Sequence, residues 1–178
     1  MEFKISNKSK KLTTVLIAVG VLFSVIGLGM HMSDSTLQLR ILTNGLINGF
    51  YFMAIGLGSF FFLTLQYATE TGWYASIKRV IEAVAGFLPY GMIFLGSILL
   101  IITLLDGAEI YLWMDSAYTT KGSHHYDEII TGKAPYLNKA FFWIRTLAYF
   151  TVYFLYWRGF KNRSLLEDKV GGTDIHFT

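Results

Sequence analysis

The sequence predicts an all-α integral membrane protein, a four-helix bundle with both termini in the cytoplasm. Three observations carry that prediction. Apolar residues make up 53% of the 178 residues and charged ones only 15%, against about 25% charged in an average soluble domain. The charges are gathered into short stretches separated by long uncharged ones, as a bilayer demands of a chain that crosses it. Lys and Arg are also unequally shared between the segments that flank those uncharged stretches, which is the signal that orients membrane helices.

A helix needs about 20 predominantly apolar residues to cross hydrocarbon. Four stretches are expected to do so, at about 12–30, 41–65, 83–105 and 140–157. The first three are uncharged; the third holds Pro89 in its first turns, and the fourth holds a single charge, Arg145. None alternates in the manner of a barrel strand, and four spans cannot close a barrel, which leaves helices as the way to satisfy the backbone in lipid. The basic segment 1–11 before the first stretch superficially suggests a signal peptide. The run of 19 residues that follows is longer than a usual signal core, and no small-x-small site closes it before His31. The first helix is therefore expected to be retained.

Topology follows from the flanks. Lys4, Lys8, Lys10, Lys11, Lys78, Arg79, Arg158, Lys161, Arg163 and Lys169 fall on one side, and Arg40, Lys121, Lys133 and Lys139 on the other. The richer side is the cytoplasmic one. Residues 31–40 read as a tight polar link. Residues at about 67–82 mix Trp73, Tyr74, Ile77, Val80 and Ile81 with Glu70, Lys78, Arg79 and Glu82, which predicts a short amphipathic helix at the interface. Residues 106–139 form the main exported loop, residues 12–160 the bundle, and residues 161–178 a cytoplasmic tail. The net charge of +3 needs no nucleic-acid partner, because the basic residues sit beside apolar spans.

The candidate site residues are few. Gly45-x-x-x-Gly49, with Gly56 and Phe52 on the same face, predicts close helix packing. Asn44, Asn48 and Gln66 are expected to hydrogen-bond to neighbouring helices. Arg145 has two readings: it snorkels to the interface, or it forms a buried pair with Asp106 or Glu109, which follow directly on the third span. Glu82 is read as a helix-start acid beside the positive end of the dipole. Glu82, Asp106, Glu109 and Asp115 are the carboxylates available to a proton path, with Asp106 and Glu109 expected on one helical face.

Metal and haem sites are not expected in this chain. There is no cysteine, and none of His31, His124, His125 and His176 lies inside a span, where an axial ligand of a membrane haem would sit. Adjacent His124 and His125 on a glycine-flanked loop make a weak metal site. No phosphate loop, nucleophile triad or dinucleotide fingerprint is present, so no catalytic residue is expected.

From Gly49 onward a series of short motifs follows in order. They are Gly49-Phe50-Tyr51-Phe52, the run from Ile55 to Phe62, Gln66-Tyr67-Ala68 with Thr71-Gly72-Trp73, Lys78-Arg79-Val80-Ile81-Glu82, and Phe87-Leu88-Pro89. Trp113-Met114-Asp115, the run from Lys133 to Asn138, Phe141-Phe142-Trp143-Ile144-Arg145 and Asn162-Arg163-Ser164 complete it. This succession, over roughly residues 45–168, resembles the ActF-type membrane subunit of bacterial alternative complex III, a respiratory quinol:electron-acceptor oxidoreductase. The resemblance implies a fold like that of the polysulfide reductase membrane subunit. It also implies a non-catalytic subunit of the bacterial inner membrane that scaffolds the quinol-oxidising subunit and contributes to proton translocation. Iron–sulfur clusters, c-type haems and quinol then belong to partner subunits, membrane and periplasmic, with a terminal oxidase as a further partner. Glu82, Asp115 and Arg145 carry over by motif position as charged positions. Members of that family are more than twice as long and hold a second bundle, so 170–178 is expected to be a connection and the chain the N-terminal half. Two alternatives from other classes stand beside this reading: a stand-alone four-helix membrane protein that binds lipid or a small ligand, and half of a transporter dimerising through the Gly45–Gly49 face. The transporter would need polar groups or broken helices at mid-membrane, and the sequence is apolar there.

Overall fold

A computed structural model describes residues 6–30, 35–106 and 109–170. Every regular element among them is helical: α1 (Asn7–Met30), α2 (Ser35–Ala68), α3 (Lys78–Ala85), α4 (Leu88–Leu104), α5 (Glu128–Gly132) and α6 (Lys139–Val170), with 3-10 turns at Trp73–Ser76, Leu112–Met114 and Ser116–Tyr118. Three stretches among the described residues are long and apolar enough to cross a membrane: Asn7–Gly27, Thr36–Ala68, and Lys78–Leu104, which is α3 and α4 together. The fourth expected span, 140–157, does not join them. It lies in α6, whose 32 residues suffice for the crossing, but Arg145 and its many Tyr and Trp residues dilute its apolar character.

Several boundaries differ from expectation, each for a local reason. Within the stretch 31–40 expected as a polar link, α2 already begins at Ser35. The interfacial helix expected over 67–82 is divided: Tyr67 and Ala68 end α2, Glu70 takes a left-handed φ of 51°, and a 3-10 turn precedes α3. The third span is two helices. Pro89 has no N–H to offer the Ala85 carbonyl four residues back, and its ring crowds that oxygen, so α3 stops at Ala85. α4 restarts with Pro89 in its first turn, where a missing donor costs nothing. The expected tail also shortens, since α6 continues to Val170; residues 171–178, like His31, lie outside the described residues.

The residues up to Thr43 and those from Asn44 onward form two compact units, with α2 running through the division. In the first unit, α1 exposes apolar side chains such as Leu16, Phe23 and Val25. Its interior hydroxyls bond back along the helix, Thr13 to Ser9 O at 3.0 Å and Ser24 to Gly20 O at 2.9 Å. A helix in hydrocarbon has to satisfy its polar groups internally in this way.

In the second unit, glycines set how closely α2 and α4 approach. A Cβ added to Gly45 would stand 3.0 Å from Ile98 Cδ1, one on Gly49 3.2 Å from Leu95 Cδ1, and one on Gly56 3.5 Å from the Leu88 backbone. From α4, Gly91 faces the Met53 backbone at 3.4 Å in the same sense. As the α2 position advances the α4 position falls, so the two helices run antiparallel. Met53, Phe60, Leu88, Met92, Leu95 and Leu99 fill the core between them and α6. Phe52, expected on that face, is half exposed instead and edges onto Phe87 at 6.3 Å between ring centroids. α6 closes the other side of α4: Phe150 lies 3.5 Å from a Cβ on Gly96, and Trp143 Nε1 donates to Thr103 Oγ1 at 3.2 Å. Asn48 and Gln66 do not reach across to other helices as expected. Asn48 Nδ2 donates to Asn44 O at 2.8 Å, and Gln66 Oε1 accepts from Thr71 in the turn that ends α2.

Candidate functional site

The polar side chains of the second unit divide between the two ends of α4, and the ends are built differently. At the Asp106 end, α4 terminates at Leu104, and Asp106 and Glu109 both adopt left-handed φ, 50° and 59°. They therefore do not share a helical face, contrary to expectation. Asp106 pairs with Lys139 at 2.5 Å, with both side chains largely in the open. No ion pair among the described residues joins Arg145 to Asp106 or Glu109. The guanidinium instead stacks 3.8 Å from the Tyr136 ring centroid and 4.6 Å from that of Phe141, and donates to Tyr136 O at 3.4 Å. Lys139 opens α6 nearer to Asp106, which leaves Arg145, more than a turn further on, to the aromatic rings.

From Glu109 to Lys139 the segment is folded rather than extended. Asp115 Oδ1 accepts from Ala117 N at 2.8 Å, so this proton-path candidate is the cap of a turn. Asp127 caps α5 through Ile129 N and Ile130 N, and Asn138 Oδ1 caps α6 through Phe141 N at 2.8 Å. Tyr111, Trp113 and Phe142 form one ring cluster with centroids 5.6–6.0 Å apart, and Met114 is buried beneath the segment. Burial holds the Tyr111 hydroxyl above its usual titration range. His125 lies beside the Tyr118 ring at 5.6 Å, His124 is exposed, and no cluster of three metal-ligating side chains occurs among the described residues.

At the Lys78 end, charged groups are part of the packing. Lys78 reaches Glu167 of α6 at 2.5 Å, with side-chain exposures of only 10% and 26%. The Tyr67 hydroxyl donates to the same carboxylate at 3.4 Å, and the Lys78 ammonium lies 5.1 Å from the Tyr67 ring centroid. Tyr74 packs beside Tyr67, and burial, with Tyr67 adjacent, raises its hydroxyl above the ordinary tyrosine range. Arg79 bridges Glu82, at 2.5 Å, and Asp168, and donates to Ser164 Oγ at 3.0 Å; Ser164 in turn donates to Glu82 Oε1 at 2.5 Å. Glu82 is thus not a helix-start acid. α3 begins at Lys78, so Glu82 lies beyond its first turn, and its partners are Arg79 and Ser164.

A cavity of about 310 Å³ opens beside this network. Its walls are apolar, from Phe60, Leu63, Trp157 and Phe160, and its polar rim is Arg79, Glu82, Lys161 and Ser164. Of the four expected carboxylates, Glu82 borders this cavity, together with a charged partner and a hydroxyl. Lys78, Ser164, Glu167 and Asp168 are not among the expected site residues. Their signal was present: a Lys-Arg pair and a Glu-Asp pair stand at helix ends that the charge bias assigns to the same side. No family model, curated protein or solved structure matches the chain.

Proposed function

We propose that the chain is a non-catalytic integral membrane subunit of a respiratory quinol:electron-acceptor oxidoreductase of the alternative complex III type, resident in the bacterial inner membrane. The observation that carries this reading is the ordered succession of motifs from Gly49 to Ser164. In it, α1, α2, α3 with α4, and α6 are the four spans, with both termini cytoplasmic by the excess of Lys and Arg on that side. α6 serves as the fourth span through length and aromatic girdling rather than aliphatic content. The subunit scaffolds a quinol-oxidising partner, and the iron–sulfur clusters and c-type haems belong to other subunits.

The proton-transfer role falls to Glu82 before the other candidates. It borders the cavity and shares hydrogen bonds with Arg79 and Ser164. Asp106 is open to solvent and Asp115 is occupied as a cap. The whole reading is tested by purifying the tagged chain from its own membranes in mild detergent and recording a reduced-minus-oxidised spectrum. A c-type haem signal that quinol reduces, carried by partners of this chain, is the expected result. A colourless preparation that runs alone would refute the reading and favour a stand-alone lipid- or ligand-binding membrane protein.

A further inference from the structure

We infer that the cavity at the Lys78 end is a site for an anionic phospholipid, whose headgroup phosphate pairs with Lys161 and whose acyl chain lies against Trp157. The charges around the cavity decide the ligand. The one acid that lines it, Glu82, is already engaged by Arg79 and Ser164. Lys161 has no ion pair among the described residues; its ammonium stands 5.0 Å from the Trp157 ring centroid, at the rim of the cavity. The rim therefore holds an ammonium that no described carboxylate engages, and an anion completes it.

The walls decide between a lipid and a soluble phosphate. Leu63, Phe60, Trp157 and Phe160 present apolar surface that a free phosphate has no use for and an acyl chain does. The cavity holds only the glycerol–phosphate region of a lipid, so the chains continue over the outer face of the helices. Its position suits this ligand. The rim sits beside α3, one short helix before the uncharged α4 begins, at the depth where headgroups meet hydrocarbon. A quinol fits less well, because Glu82 and Ser164, the groups that would bond to its hydroxyls, are bonded to each other.

The inference rests on the membrane-spanning reading and not on the identity of the complex. It is tested with the full chain in nanodiscs of phosphatidylcholine containing a minor fraction of lipid with brominated acyl chains, which quench tryptophan. Brominated phosphatidylglycerol is expected to be enriched around Trp157 about fivefold over brominated phosphatidylcholine, the ratio contributed by one basic group near an anionic lipid. The excess quenching should vanish in Trp157→Phe and in Lys161→Gln, survive in Lys161→Arg, and survive in Lys133→Gln at the opposite end. Soluble glycerol phosphate should leave it unchanged. Equal quenching by the two lipids, or an excess that survives Lys161→Gln, overturns the lipid site alone. Loss of the excess on adding glycerol phosphate identifies a free anion and overturns it too. A chain that stays outside the nanodiscs overturns the spanning reading and this inference with it.

Discussion

The two ends of the α2–α4–α6 unit use the same residue types to different effect. At the Lys78 end an ammonium and a carboxylate meet with side-chain exposures of 10% and 26%, inside a network that ties α3 to the last turns of α6. At the Asp106 end the corresponding pair, Lys139 with Asp106, is exposed by 41% and 74%. Order there comes instead from rings and caps, with Tyr111, Trp113 and Phe142 packed together and Arg145 lying on Tyr136. The contrast shows that an ion pair contributes through what surrounds it. A pair shielded from water is costly to break because the survivor is left desolvated, whereas an exposed pair is replaced by water on each side.

Mutations at the two ends should separate these regimes. Glu167→Ala leaves Lys78 shielded without its carboxylate, and should lower stability by about 2–3 kcal/mol, read as a shift in the unfolding transition in detergent. Asp127→Ala removes the cap of α5, for a loss of about 1 kcal/mol. That loss should appear as faster proteolysis within 106–139 while the Lys78 end is undisturbed. Arg145→Gln removes the stacking on Tyr136 and Phe141 and should cost about 0.5–1 kcal/mol. Asp106→Asn should cost no more than about 0.5 kcal/mol. If Asp106→Asn proves as damaging as Glu167→Ala, the distinction between the ends fails.

Much of the helical layout is legible in the sequence, because uncharged stretches and glycine spacing are local signals. The face bearing Gly45, Gly49 and Gly56 is readable for that reason, and it is the face that meets α4. The break at Pro89 is readable in kind but not in place, since the proline acts on Ala85, four residues earlier. The partner of Arg145 is not readable. Depth alone offers it Asp106 and Glu109, but the left-handed turn after Leu105 and the nearer Lys139 give Asp106 another partner. The network at the Lys78 end joins residues 78–82 to 164–168, a separation that no local pattern spans. α6 shows the limit of hydropathy as a guide: Tyr and Trp rank as polar on such a scale, although their rings are at home where lipid meets water.

The central claim is that these two ends lie on opposite sides of a bilayer, the Lys78 end in the cytoplasm. The chain contains no cysteine, so a single introduced thiol reports its own side. Lys121→Cys and Asn162→Cys, each labelled in whole cells with a membrane-impermeant maleimide, test the claim directly. The account predicts that position 121 is labelled in intact cells and position 162 only after permeabilisation. Labelling of both from outside, or of neither until the cells are opened, would place the two ends on one side and contradict it.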